Sequence, residues 1–175
     1  ASLAVEHIRP KTHNPMLELR WDNLLLACPN CNSTKGHENI IVADYALPHI
    51  DDTFDLFQYD SSAIVKPKLG LNPIDLDKTK KTIKLVGLGK SQPAINTKEW
   101  KIASDRRFEH RLQTYLEAER FSLEYSKKSI AARADMLPLL EIIVISKGFW
   151  SIWMSAFSTF PEATIRFRLA FVGTR

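Results

Sequence analysis

The sequence predicts an α+β fold that is mostly helical, in which a small N-terminal module precedes a helical body. Residues 1–37 are dense in His, Asn, Pro and Cys and have little periodicity, whereas apolar residues recur at helical spacing from residue 75 onward. A chain of 175 residues that is 45% hydrophobic and 25% charged is also large enough to bury a core. We divide it into a module at 1–60 and a mainly helical region at 61–175.

The module is predicted to begin with a short strand, a long loop, a cysteine knuckle and the start of a helix within residues 1–37. Residues 38–73 are predicted to be irregular with short strands. In that segment "FDLFQY" alternates in the manner of a strand, and "AIVKP" ends at a proline.

The helical region is predicted to open with a helix that Asp75 caps and Gly87 ends. A long charged helix is expected over residues 98 to about 130, followed by three short segments that Pro138, Gly148 and Pro161 separate. Four large side chains at helical spacing are expected to fill a core rather than a ligand pocket: Trp150, Trp153, Met154 and Phe157.

Several protein classes are disfavoured by the sequence. Two cysteines are too few for a secreted disulfide framework, and the opening "ASLAVEH" lacks the pattern of a signal peptide. The most apolar stretch, "MLPLLEIIVIS", contains Pro138 and Glu141 and is too short to span a bilayer. We therefore expect a cytoplasmic protein without a membrane segment.

Charge is unevenly distributed along the chain, although the formal net charge is only +4. Residues 38–60 carry six acids and no Lys or Arg, whereas residues 66–101 carry nine lysines and three acids. A basic segment can contact phosphates, which makes nucleic acid a plausible partner. On charge alone, a solvated lysine-rich helix face explains the same residues better.

Cys28 and Cys31 form a C-x-x-C pair, the spacing with which two thiolates bind one tetrahedral zinc ion. Zinc needs four ligands, and the sequence contains no second pair; His13 and His37 could complete the site, although their spacing does not require it. We favour half of a structural zinc knuckle over a pair of free thiols. A thioredoxin-like redox motif is disfavoured because no strand–turn–helix pattern surrounds the pair.

Glu6 and His7 are adjacent at the end of the first predicted strand. A carboxylate is a hard ligand that suits Mg²⁺ or Mn²⁺, and an imidazole can take a proton from water near neutral pH. Taken alone, the pair could equally be an accident of the surface.

Three further polar residues follow in an order that suits the same chemistry. Asn23 can bond to loop backbone and hold the loop closed. Asn32 directly follows Cys31, so its carbonyl oxygen could join Glu6 on a catalytic cation. Lys35 lies one helical turn later and could reach a phosphate.

The ordered set E-H…N…C-x-x-C-N-x-x-K resembles the ββα-metal (HNH) endonuclease family. That resemblance implies that Glu6 and Asn32 bind a catalytic Mg²⁺ or Mn²⁺, that His7 is the general base and that Asn23 braces the loop. It also implies that Cys28 and Cys31 are one half of a structural Zn²⁺ site. The family usually places its other C-x-x-C pair upstream of the acid–histidine motif, and this sequence has five residues before Glu6.

Longer stretches resemble the PtuB family, the HNH component of bacterial Septu anti-phage systems that also occurs beside retrons. The stretches are "VEHIRPK", "WDNLLLACPNCNSTKG", "DDTFDLFQYD" and the closing "GFWSIWMSAF…RLAF-GT". This resemblance implies a role in antiviral defence and control by PtuA, an ABC-type ATPase. A phosphate-binding glycine loop is not present in the sequence, so nucleotide sensing would belong to that partner.

The expected function is metal-assisted hydrolysis of phosphodiester bonds in a nucleic acid, with DNA preferred. One alternative is a non-catalytic zinc-knuckle module that binds nucleic acid or protein, but such a module has no use for an acid and a base beside the knuckle. The other is an RNase on the same fold, which the sequence does not distinguish from a DNase.

Overall fold

The computed structural model describes residues 3–91 and 105–171. It is mostly helical, with small sheets toward the N-terminus, which confirms that coarse prediction. The expected start of a helix at residue 98 and the final "GT" lie outside the described residues. Among the helices that are described, none is both long enough and apolar enough to cross a membrane.

The first unit of the fold is a hairpin followed by a short helix. Strands β1 (Ala4–His7) and β2 (Leu24–Ala27) pair antiparallel, with Glu6 opposite Leu25 and His7 opposite Leu24. Short 3₁₀ turns occupy Pro15–Leu17 and Trp21–Asn23 in the loop between the strands. Helix α1 (Pro29–Lys35) follows β2 directly, so strand, loop, knuckle and helix come in the predicted order, and β2 is an additional strand between the loop and the knuckle.

Helix α1 has distinct signals at both ends. Cys28 is its N-cap, and Pro29 takes the first helical position, where a missing N–H costs nothing. The helix stops at Gly36, whose φ of 56° is a conformation that residues with a Cβ rarely adopt. Lys35 therefore occupies the last helical position.

The middle of the chain forms a second small sheet and a longer helix. Helix α2 (Thr53–Leu56) runs into strand β3 (Phe57–Tyr59), which pairs antiparallel with β4 (Val65–Pro67). The prediction that "FDLFQY" is all strand was therefore wrong for its first half, because Asp52 caps a helical turn there by accepting from Phe54 N–H. The division at residue 60 falls between β3 and β4.

Helix α3 (Pro73–Val86) begins earlier than the sequence predicted. Asn72 is the N-cap and accepts a hydrogen bond from Asp75 N–H at 2.9 Å, so Asp75 is in the first turn and the prediction of an Asp75 cap was wrong. Gly87 ends the helix with a left-handed backbone, as predicted.

Four helices make up the remainder of the chain. They are α4 (Arg107–Ser126), α5 (Ile130–Lys147), α6 (Trp150–Ala156) and α7 (Pro161–Ala170). The expected continuation of one helix to residue 130 was wrong, because a turn intervenes and Ser129 caps α5. Pro138 lies inside α5 and does not separate two segments, whereas Gly148 and Pro161 do lie at helix boundaries.

The main core lies between these helices and is rich in aromatic residues. Trp150, Trp153, Met154 and Phe157 are all buried, as predicted. The Phe157 ring makes edge contacts with Tyr125 and Phe167, at centroid distances of 5.6 and 5.3 Å.

Helices α4, α6 and α7 also connect this core to the earlier elements. Arg111 of α4 is buried and donates to the Ala63 carbonyl at 3.1 Å, and Tyr59 of β3 bonds to Ser151 of α6 at 2.6 Å. Arg168 of α7 pairs with Asp52 at 3.0 Å. The helical body thus contacts the segment that follows the first hairpin.

Removal of the Phe157 side chain should destabilise the protein strongly. Because Phe157 is fully buried, Phe157→Ala is expected to lower the free energy of unfolding by about 3–5 kcal/mol. Chemical denaturation would measure this loss. Leu123→Ala is the control, since Leu123 is 57% exposed and its loss should change stability by less than about 0.5 kcal/mol. Equal losses in the two variants would contradict the core assignment.

Candidate metal centre and catalytic residues

Strand β1 turns the Glu6 side chain toward helix α1, where it is buried with only 8% of the residue exposed. The partner of its carboxylate is Lys35, whose Nζ lies 2.6 Å from Glu6 Oε1 and is itself buried. The same ammonium donates to the His7 carbonyl at 2.8 Å. Lys35, expected to reach a phosphate, therefore lies against the candidate metal-binding acid and joins the end of α1 to the end of β1.

His7 is oriented by the backbone of the β1–β2 loop. Its Nε2 lies 3.0 Å from the carbonyl oxygen of Glu18. Because a carbonyl oxygen can only accept, Nε2 carries the proton in this bond and Nδ1 of the neutral ring is the basic nitrogen. The arrangement leaves His7 with a defined tautomer, which is what a general base requires.

Glu18 was not singled out by the sequence analysis, since a backbone carbonyl has no signature in the sequence. Its own side chain forms an exposed ion pair with Lys11 at 2.9 Å. The hydrogen bond from Lys11 is the main cause that lowers the pKa of the Glu18 carboxyl, and the charge of His7 adds to it. This ion pair is formally neutral and lies on the residue whose carbonyl contacts His7.

Asn23 is buried at the end of the β1–β2 loop, and its side chain forms hydrogen bonds with three backbone groups. Its Oδ1 accepts from Arg9 N–H at 2.9 Å, and its Nδ2 donates to the carbonyls of Arg9 and Leu17 at 3.0 and 3.1 Å. Its own carbonyl accepts from Ile8 N–H at 2.9 Å. These bonds tie the residues after His7 to those just before Glu18, so Asn23 holds the loop closed and acts on His7 through it.

Asn32 lies on α1 beside the first strand, where its Nδ2 donates to the Val5 carbonyl at 3.4 Å. Within the described part of the chain, Asn32 Oδ1 and Glu6 Oε2 accept no hydrogen bond from the protein. Two oxygen ligands suit Mg²⁺ or Mn²⁺, which is commonly held by one or two protein groups together with water and substrate phosphate. The two residues therefore fit such an ion, although the described residues contain no cluster of three or more His, Cys, Asp or Glu.

The two cysteines meet at the start of α1 without a disulfide bond. Cys31 N–H donates to Cys28 Sγ at 3.3 Å, and burial raises the pKa of the Cys31 thiol to about 11. His13 and His37, considered above as further zinc ligands, are exposed. Among the described residues the pair supplies two of the four ligands that Zn²⁺ requires, and no catalytic step below depends on zinc.

Arg107, the first residue of α4, contacts the knuckle from the helical body. Its Nη1 donates to Cys31 Sγ at 2.9 Å and to the Val86 carbonyl at 2.8 Å. Its other nitrogens bond to Asp105, which raises the pKa of the guanidinium further. Sequence reasoning missed this contact because 76 positions separate the two residues.

Comparison with known proteins supports the nuclease interpretation of this region. Residues 1–38 match the model of the HNH endonuclease family. The matched segment contains β1, β2 and α1, and hence Glu6, His7, Asn23, Asn32 and Lys35. A domain of this kind indicates a nuclease that acts on nucleic acid with a divalent metal ion. Neither a search of curated proteins nor one of solved structures found a match.

Loss of the Asn23 amide should loosen the β1–β2 loop. Asn23→Ala leaves the part-buried backbone partners of its side chain without these hydrogen bonds, so the free energy of unfolding should fall by about 1–3 kcal/mol. Hydrogen exchange should quicken at the Arg9 amide, the donor to Asn23 Oδ1. Asn39→Ala is the control, because Asn39 is exposed and its side chain accepts only an exposed hydrogen bond from Asn14 among the described residues. It should change stability by less than about 0.5 kcal/mol and leave exchange at Arg9 unaltered. Unaltered exchange at Arg9 in Asn23→Ala would argue against a bracing role.

Proposed function

We propose that this protein is a metal-dependent HNH endonuclease that hydrolyses phosphodiester bonds of DNA. The observation that carries the proposal is the oriented imidazole of His7, which directly follows the buried Glu6 in strand β1, within the segment that matches the HNH family. A binding module gains nothing from a histidine with a defined basic nitrogen next to a metal-binding acid.

His7 would act as the general base. Its Nδ1 takes a proton from the attacking water, while the Nε2–H bond to the Glu18 carbonyl keeps the ring in one orientation. That bond persists when the ring becomes positively charged, since the imidazolium donates from both nitrogens. Asn23 supports the step indirectly, because it holds the loop that presents the Glu18 carbonyl.

Glu6 and Asn32 would hold the divalent ion. When bound there, Mg²⁺ or Mn²⁺ supplies a Lewis acid that polarises a phosphate oxygen and neutralises charge on the leaving 3′-oxygen. Asn32 is suited to this position because it follows Cys31 on α1, and its amide already bonds to the β1 backbone beside Glu6.

The surface charge of the protein favours control by a partner. Two of the α3 lysines pair with the acidic segment that precedes them, Lys78 with Asp51 at 2.7 Å and Lys81 with Asp44 at 3.4 Å. The lysine-rich stretch is thus partly neutralised by the protein itself, which limits its attraction for DNA. We infer that DNA is presented with the help of another protein, and the resemblance to PtuB makes this an ABC-type ATPase of the PtuA kind in bacterial anti-phage defence.

A cleavage assay on plasmid DNA tests the proposed function. The protein, with and without an ABC-type ATPase of the PtuA kind, should nick DNA in the presence of Mg²⁺ or Mn²⁺ and not in the presence of EDTA. His7→Ala should reduce the rate about 10²–10⁴-fold, the usual contribution of a general base. His13→Ala is the matched control, because His13 lies in the same loop but is exposed, and it should keep full activity.

Different failures of the assay have different meanings. Equal rates for His7→Ala and wild type would contradict the assignment of the base. Cleavage of RNA alone would keep the chemistry but change the substrate. Binding of nucleic acid without cleavage under any condition would favour the non-catalytic module.

A further inference from the structure

The ammonium of Lys35 forms an ion pair with the Glu6 carboxylate, to which a divalent cation would bind. The distance from Lys35 Nζ to Glu6 Oε1 is 2.6 Å, and only 5% and 10% of the two side chains are exposed. A buried carboxylate without a metal ion needs such a counterion, because an uncompensated charge in the interior is strongly unfavourable. Lys35 therefore supplies to the metal-free protein the positive charge that the ion would supply.

The two cations cannot share this carboxylate without cost. A divalent ion on Glu6 would lie within a few ångströms of the ammonium, in a region shielded from water where repulsion between like charges is strong. Since Lys35 also donates to the His7 carbonyl, its side chain is held at this place by two partners. Binding of the ion therefore competes with binding of Lys35.

A cavity beside α1 gives Lys35 another position. The cavity measures about 470 Å³ and is lined by Lys35, Glu38 and Lys84 among others. Glu38 follows Lys35 by three residues, and a turn in which Glu38 N–H donates to the Lys35 carbonyl at 3.2 Å keeps the two close. In the described part of the chain, Glu38 has no ion-pair partner.

The other charges around the cavity leave Glu38 available. Lys81 lines the same cavity and is already held by Asp77 at 2.8 Å and by Asp44 at 3.4 Å. Lys84 is the remaining cation there, and the described residues offer it no ion pair. Because Glu38 lines the same cavity as Lys35, its carboxylate is a suitable second partner for the Lys35 ammonium.

We propose that Lys35 is a displaceable counterion, paired with Glu6 in the metal-free protein and with Glu38 when a divalent cation binds Glu6. This inference rests on the proposed function, because it concerns the same metal site. Its consequence is that Lys35 lowers the affinity for free metal ions, so that the ion binds best when a substrate phosphate adds its negative charge to the site.

The first test measures Mn²⁺ affinity by electron paramagnetic resonance of the free ion, without nucleic acid and therefore without regard to cleavage. Lys35→Met should lower the Mn²⁺ Kd about tenfold, as expected if only a tenth of the wild-type population has Glu6 free. Glu6→Gln should abolish binding. Lys66→Met is the matched control, because Lys66 is an exposed lysine whose partner, Asp60, lies outside the site, and its Kd should equal that of wild type.

Substitution of Glu38 provides a second, independent test. Glu38→Gln should raise the Mn²⁺ Kd about two- to threefold in wild type, since the displaced ammonium loses its partner. The same change should have no effect in a Lys35→Met background. An equal effect in both backgrounds would mean that Glu38 acts only through its charge, and it would overturn the role assigned to Glu38.

A labelling experiment on the unmodified protein avoids any dependence on the folding of variants. Lys35 should react slowly with an amine acetylating reagent in the metal-free protein and several-fold faster at saturating Mn²⁺, whereas Lys66 should react equally in both. Constant labelling of Lys35, or a Kd that is unchanged or higher in Lys35→Met, would overturn the inference. Absence of Mn²⁺ binding in both wild type and Lys35→Met would overturn the metal site as well. The cleavage assay with His7→Ala tests the role of His7 as general base independently of Lys35.

Discussion

The buried ion pair between Lys35 and Glu6 is the interaction on which the geometry of the candidate site depends. Two strands of four residues and a helix of seven have little apolar surface with which to fix their relative positions. A carboxylate buried between them must be neutralised, and among the described residues Lys35 of α1 does so. The same ammonium binds the His7 carbonyl. One lysine therefore fixes the end of the helix against the end of β1, where the candidate acid and base follow each other in sequence.

Around this pair, the site is positioned mainly by backbone groups. The His7 ring is oriented by the Glu18 carbonyl, and Asn23 bonds to three backbone groups that define the path of the loop. Backbone positions tolerate substitution of their side chains, so a loop with exposed residues such as Trp21 can still present a fixed carbonyl to His7, the candidate base. The candidate reactive groups are therefore side chains, and backbone groups hold them in place.

Local features of the fold could be predicted from the sequence, and features that depend on distant contacts could not. The aromatic residues at helical spacing, the glycine at the end of α3 and the strand–loop–knuckle order each follow from neighbouring residues. The interior position of Pro138 could not be predicted from neighbouring residues. Burial of α5 against the other helices outweighs the tendency of proline to end a helix. For the site, the residue types of Glu6, His7 and Asn23 were informative, but the direction of Lys35 was not. A lysine at a helix end usually faces solvent, and only the burial of a carboxylate 29 positions away turns it inward.

The contact between Arg107 and Cys31 has a mechanical consequence. Arg107 is the first residue of a helix of 20 residues, and its guanidinium bonds at once to the knuckle sulfur and to the end of α3. A displacement of α4 would therefore reach the knuckle through this residue. The first turn of α4 touches the residue immediately before Asn32. A partner that binds the helical body would therefore act on the residue next to Asn32, the candidate metal ligand, without contacting the site itself.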